Sequence, residues 1–258
     1  MSNEESSGTI LTEQNGRITT LFLNNPKRLN SISGEMADLL ARELKKAESD
    51  PNTRVVILRG HGENYSSGAD LSKFETGNRS KAIEFRKSMN SVVLTMNSMK
   101  KPVLAVLHGY SLGGGLEIAE SADIRIAGSS AKIGQPEIKI GINAGAGGNV
   151  ILPKLIGRGR ALYLMLMGQI ITAEQAANWG LVDLVFGDGE LFTKVQEIAE
   201  SLAGMPEETV SVCKKLVYET QNLTVEDALQ RESECFADLF TSPETIKRIE
   251  KFLNRQVK

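Results

Sequence analysis

Two stretches carry residue types that could do chemistry together: Gly109-Tyr110-Ser111-Leu112-Gly113-Gly114-Gly115-Leu116-Glu117 and Gly134-Gln135-Pro136-Glu137-Ile138. Each holds a glutamate near backbone freed by glycine or proline, and the two glutamates are twenty positions apart. Three successive glycines leave peptide N–H groups without side-chain cover, so a ligand can approach the backbone. A helix beginning there aims its unpaired amides and positive dipole end at the same spot, which suits an oxyanion. Glu117, expected in the first turn of that helix, and Glu137, brought in by a later loop, would supply an acid and a base beside the polarised group.

Three further segments extend the pattern: Asn25-Pro26-Lys27-Arg28-Leu29-Asn30, Tyr65-Ser66-Ser67-Gly68-Ala69-Asp70-Leu71 and Gly141-Ile142-Asn143-Ala144-Gly145-Ala146-Gly147-Gly148. In order and spacing, from about Ile10 to Leu253, the chain resembles the enoyl-CoA hydratase/isomerase, or crotonase, superfamily. The resemblance implies an α/β fold, a spiral of ββα units with a C-terminal helical segment that packs in a trimer, commonly paired into a hexamer. It implies that the amides of Ala69 and Gly114 form an oxyanion hole for a thioester enolate. It also implies that Glu117 holds and activates water while Glu137 supplies the α-proton.

Relatives that only shift a double bond often dispense with the first glutamate, so its presence favours addition of water to a 2-enoyl-CoA. The alternatives are a double-bond isomerase or another enolate-forming relative and, in a different class, an RNA-binding or scaffold homologue. By the same resemblance Lys27, Arg28 and Leu29 line the CoA site, and Ser67, Asp70, Leu71 and Ser72 belong to the turn that receives the adenine and the thioester. Arg28 stands where many relatives carry a small residue. Asp70 reads as a turn-stabilising or backbone-capping residue rather than a proton carrier. Asn143-Ala144 replaces the proline usual before the glycine-rich turn, which is expected to loosen the loop after Glu137. CoA enters as part of the substrate; no cofactor and no metal are implied.

The bulk properties narrow the remaining classes. The 258 residues carry 30 Lys and Arg against 32 Asp and Glu, a net charge of −2, with 41% hydrophobic residues. That is enough apolar content for a substantial core. No run of five like charges is present, and Lys45-Lys46 and Lys100-Lys101 are isolated pairs, so neither nucleic acid nor an anionic membrane is an expected partner. Cys213 and Cys235 fit neither a zinc spacing nor a disulfide framework and read as free buried thiols. His61 and His108 have no metal-ligand spacing around them, and Trp179 precedes Gly180 at a helix end. Residues 1–8 read as a polar tail without the features of a signal or transit peptide. The expected compartment is the cytoplasm.

The elements that must position these residues follow from periodicity. Ile10 to Gln14 and Arg17 to Leu23 read as strands joined at Asn15-Gly16. A helix starts at Ser33 or Gly34, and a buried strand follows at Val55 to Leu58. A helix from Arg79 to Met99 is closed by Pro102 before the strand Val103 to Leu107, with another helix over 115–121 and a strand over 123–127. Beyond this point strand signals almost vanish. Helical patterns appear at 148–156, 158–167, 173–178 and 190–203, and three more follow Pro206. Residues 1–203 are expected to form the core and 204–258 a helical segment. The apolar stripe of Phe236, Leu239, Phe240, Ile246, Ile249, Phe252 and Leu253 must be buried against the core or a neighbouring subunit.

Overall fold

The computed structural model describes residues 8–256. Strands β1 (Thr9–Asn15) and β2 (Ile18–Asn24) form an antiparallel hairpin in which Asn15 pairs with Ile18. Strand β1 runs through Asn15, so the two-residue connection is Gly16-Arg17, one position later than the sequence suggests. Gly16 takes φ 56°, the left-handed region that glycine enters without cost.

Strand β2 then pairs in parallel with β3 (Val55–Gly60), β3 with β4 (Val103–Leu107), β4 with β6 (Ile124–Gly128) and β6 with β9 (Leu184–Phe186). Parallel neighbours require crossovers, which the helices provide. Helix α1 (Gly34–Ser49) joins β2 to β3, and α2 (Arg79–Ser98) joins β3 to β4. Helix α1 starts where expected because the Ser33 side chain accepts the Met36 amide at 3.2 Å as an N-cap.

Both faces of this sheet are covered, which explains the unbroken apolar run in β3. Val56 and Leu58 pack with Met36, Leu40 and Leu44 of α1 and with Met89, Val92 and Met96 of α2. Val55 and Ile57 face the other way, toward Leu191, Val195 and Ala199 of α7 (Leu191–Ala203).

A second sheet comprises β5 (Tyr110–Leu112), β7 (Lys132–Gly134) and β8 (Ile170–Thr172). Strands β7, β8 and β9 correct the expectation that β structure fades in the second half, and β5 is a further short strand that the periodicity did not show. Each has three residues, too few to show alternation. Between them lie α3 (Gly113–Glu120), α4 (Leu152–Ile156), α5 (Arg158–Met167) and α6 (Ala173–Trp179), the last ended by Gly180 at φ 83°.

Helices α8 (Glu207–Thr220), α9 (Val225–Phe240) and α10 (Pro243–Gln256) complete the described residues. Helix α8 is anchored to the core by Lys214, whose Nζ donates to Asp123 Oδ2 at 2.8 Å and to the carbonyls of Met96 and Lys101. Among the described residues the stripe on α9 and α10 stays largely uncovered: Phe236 is 66% and Phe252 61% exposed. Cys235 is buried and Cys213 exposed, so only one of the two thiols is hidden as expected. Residues 1–7 of the expected tail lie outside the described residues. Among the described residues no helix is long and apolar enough to cross a membrane.

Candidate active site

Strand β5 delivers the chain directly into α3, and all eight residues of α3 are buried. Gly113 has φ 50°, and a Cβ there would stand 2.8 Å from Glu137 Oε1. Gly115 faces an equally close neighbour, since its Cβ would lie 2.5 Å from Ser66 Cβ. The glycine run is therefore fixed by close approach as well as by conformation.

The Ser66–Leu71 loop lies against this turn. Ser66 bridges Ser111, and Leu112 donates its amide to the Ser66 carbonyl at 2.9 Å. A Cβ built on Gly114 would stand 3.5 Å from the Ala69 amide nitrogen and 3.8 Å from Glu117 Oε2. The bridge between Ile32 and Ala69 uses the Gly68 carbonyl and the Asp70 amide. It leaves the Ala69 N–H pointing elsewhere. The fold thus brings Ala69, Gly114 and Glu117 around one small space.

Glu117 is the fifth residue of α3, in its second turn rather than the first, and is 1% exposed. Its Oε1 accepts the amides of Ala146 at 2.5 Å and Gly148 at 2.9 Å. Arg86 Nη2 on α2 lies 3.9 Å from the same oxygen. Burial raises the Glu117 carboxyl to about 7 against the opposing pull of the Gly148 amide and Arg86. Glu137 opens a short 3-10 turn after Pro136 and sits over Gly113. Its Oε2 is buried without a hydrogen-bond partner, and burial raises this carboxyl as well.

Where the proline is missing, the loop that holds Glu117 carries side-chain hydrogen bonds of its own. The Ala144 carbonyl accepts the side-chain amides of Asn143, at 2.8 Å, and Asn149. The amides of residues 146 and 148 go to Glu117, and Gly147 adopts φ 116°, so this stretch cannot continue a helix backward from α4. The helix expected from 148 begins at Leu152.

The Lys27–Leu29 segment and the Ser67–Ser72 segment form one clasp. Ser67 donates its amide to the Leu29 carbonyl at 2.9 Å, and Arg28 Nη1 reaches Asp70 Oδ1 at 3.3 Å and the Ser72 hydroxyl. Asp70 is buried and caps the 3-10 turn Leu71–Lys73, accepting the Ser72 amide at 3.1 Å. Lys27, Leu29, Leu71 and Ser72 are exposed along this rim.

Three polar residues that the sequence did not single out belong to the same neighbourhood: Arg86, Glu120 and Gln135. Gln135 Nε2 donates to Glu120 Oε1 at 2.9 Å, and both side chains are almost wholly buried. Only the three-residue step from Glu117 to Glu120 along one helix hinted that Glu120 faces inward. His108 stacks edge-on against Phe192 and is held near 4 by burial, which suits a packing residue. Among the described residues no group of three His, Cys, Asp or Glu side chains is arranged to hold a metal.

The enoyl-CoA hydratase/isomerase family model matches residues 13–257. A short-chain-enoyl-CoA hydratase of Clostridium acetobutylicum is 33% identical, over 96% of this chain and 95% of its own. A crotonyl-CoA hydratase of Syntrophomonas wolfei is 30% identical over 96% and 95%. The crystal structure of an enoyl-CoA hydratase from Thermoplasma volcanium superimposes with a TM-score of 0.89 at 43% identity, covering 94% of this chain and 96% of that one. With nearly its whole length matched at this level, the chain is an enzyme of the enoyl-CoA hydratase/isomerase, or crotonase, family.

Proposed function

We propose that the enzyme adds water reversibly across the C2–C3 double bond of a 2-enoyl-CoA, giving a 3-hydroxyacyl-CoA. The observation that carries this reading is the buried Glu117, held by two amides beside the Ala69 and Gly114 backbone and across from Glu137. The thioester oxygen accepts from the Ala69 and Gly114 N–H groups, which stabilise the enolate that develops as C3 is attacked. Glu117 orients the water, whose oxygen bonds to C3 while a proton passes to the carboxylate. Glu137 gives its own proton to C2, and proton exchange between the carboxyls restores the starting state. Two carboxyls raised by burial suit this exchange near neutrality.

The clasp of Lys27, Arg28, Leu29, Ser67, Asp70, Leu71 and Ser72 receives the CoA portion; the exposed Lys27 offers a cation to its phosphates. The chemistry calls for no resident cofactor or metal. The uncovered stripe of α9 and α10 supports packing against further copies of the chain, as a trimer or a dimer of trimers. Two unbridged cysteines favour a reducing compartment, the cytoplasm.

The test is loss of the conjugated thioester absorbance of crotonyl-CoA on mixing with enzyme. Glu117→Gln and Glu137→Gln are each expected to slow hydration at least about 10²-fold. The double variant should lose far less than the product, since the two act as one unit. Hydration that survives Glu117→Gln but not Glu137→Gln would point to a one-base isomerase.

A further inference from the structure

Behind Glu117 lies a second carboxyl that the proposed reaction does not use. Glu120 stands three residues farther along α3, 2% exposed, and Gln135 is 1% exposed two residues before Glu137. Their single hydrogen bond runs from Gln135 Nε2 to Glu120 Oε1. The other half of each group is stranded: Glu120 Oε2 and Gln135 Oε1 are both buried with no partner. Two buried acceptors without a donor, one on each member of a hydrogen-bonded pair, is a costly arrangement for an ionised carboxylate. A carboxylic acid removes both deficits at once, because its O–H donates to the amide oxygen while its carbonyl keeps the amide N–H.

The pair occupies a joint in the site. A Cβ at Gly148 would stand 3.2 Å from Gln135 Nε2 and 3.2 Å from Glu117 Oε1. Gln135 therefore touches the turn whose amides hold Glu117, while its own backbone leads into Glu137 through Pro136. We propose that Glu120 is a neutral positioning residue, its acid proton shared with Gln135 in a two-bond acid–amide pair that locks the Glu117 turn to the Glu137 segment. The charged groups facing it agree: Glu117 and Glu137 oppose a third negative charge, and Arg125 offsets them only in part. Burial comes first among the causes that lift the Glu120 carboxyl, to about 8.

This inference rests on the hydratase reading only for its activity readout. Glu120→Gln preserves shape and pairs both ways with Gln135, whereas Glu120→Met cannot. Glu120→Gln is expected to keep kcat within about threefold and to leave the pH profile in place, and Glu120→Met to lower kcat at least about tenfold with KM little changed. Thermal unfolding provides an arm independent of catalysis. A carboxyl raised from its usual value stabilises the fold less as pH climbs from about 4.5 to about 8, because only the native state holds the proton there. The Tm of Glu120→Gln should therefore gain on the parent from pH 5 to pH 8. A Tm difference that is flat or shrinks over that range, or a Glu120→Met enzyme with parental kcat, would overturn the proposal. A parent enzyme inactive on crotonyl-CoA overturns the hydratase reading alone, since the Tm arm still reports on Glu120.

Discussion

The Gly148 amide donates to Glu117 Oε1 at 2.9 Å, across 31 positions of sequence, and leaves no room for a side chain of its own. A Cβ there would meet Ala144 Cβ at 2.8 Å and Glu117 Oε1 at 3.2 Å. Gly148→Ala should move the turn and lengthen this charge-assisted bond, worth about 1.5–3 kcal/mol. The expected result is a fall of about 10–100-fold in kcat with CoA-ester binding nearly unchanged, read by steady-state kinetics beside product inhibition.

Much of this arrangement is written in local sequence signals, and some is not. The β1–β2 hairpin, legible to within one position of its turn, the Ser33 cap and the apolar periods of α1 and α2 are set by residues close in the chain. Strands β5, β7 and β8 exist because Ser66, Lys132 and Ile171 find partners far away, and three residues cannot advertise a period. The same reasoning separates the two glutamates from Glu120. Glu117 and Glu137 adjoin glycine and proline motifs, whereas Glu120 sits in an ordinary helical position and is revealed only by Gln135, fifteen residues away. Arg86 likewise lies amid a solvated stretch of α2, and only the tertiary fold turns it toward Glu117.

Gly114→Ala tests the oxyanion donors. Its Cβ would come to 3.5 Å from the Ala69 nitrogen and 3.1 Å from Met89 Cε, occupying the space between the proposed donors. The Gly114 N–H itself survives, but a methyl that keeps the thioester oxygen from reaching a donor forfeits up to the worth of one donor, about 3–4 kcal/mol of transition-state stabilisation, so kcat should fall by up to about 10²–10³-fold. Circular dichroism and Tm should stay near the parent's. Unimpaired turnover would remove Gly114 from the mechanism.

Arg86 is expected to influence the acid limb of the pH profile. Its positive charge favours the ionised forms of Glu117 and Glu137, opposing the burial that raises both. Replacing it by Gln removes that pull, so both carboxyls hold protons to higher pH. The acid limb of kcat/KM should shift toward alkaline pH. A shift toward acid would mean that the guanidinium does not act on these carboxyls.

Asp70 should behave as part of the clasp and not of the chemistry. Asp70→Ala loses the cap on Ser72 and the contact with Arg28. A lost cap costs about 1 kcal/mol of stability. KM for the CoA ester is expected to rise several-fold with kcat within about twofold, the pattern of lost ground-state binding. A collapse of kcat at unchanged KM would instead give Asp70 a role at the reacting atoms.

Self-association is the expected consequence of the exposed α9 and α10 stripe. Phe236 and Phe240 stack with ring centroids 5.7 Å apart, and both are largely exposed, as is Phe252. Covering such side chains contributes about 1.5–3 kcal/mol each, which favours a stable assembly over a monomer. Light scattering at micromolar concentration should give about three or six times the 28.0 kDa chain mass. Phe236→Glu with Phe240→Glu should shift the distribution toward the monomer, because an interface core does not admit unpaired charge. A parent protein that stays at one chain mass would show that the stripe is not an interface between copies, and a double variant that keeps the parental mass would place the contact elsewhere on the surface.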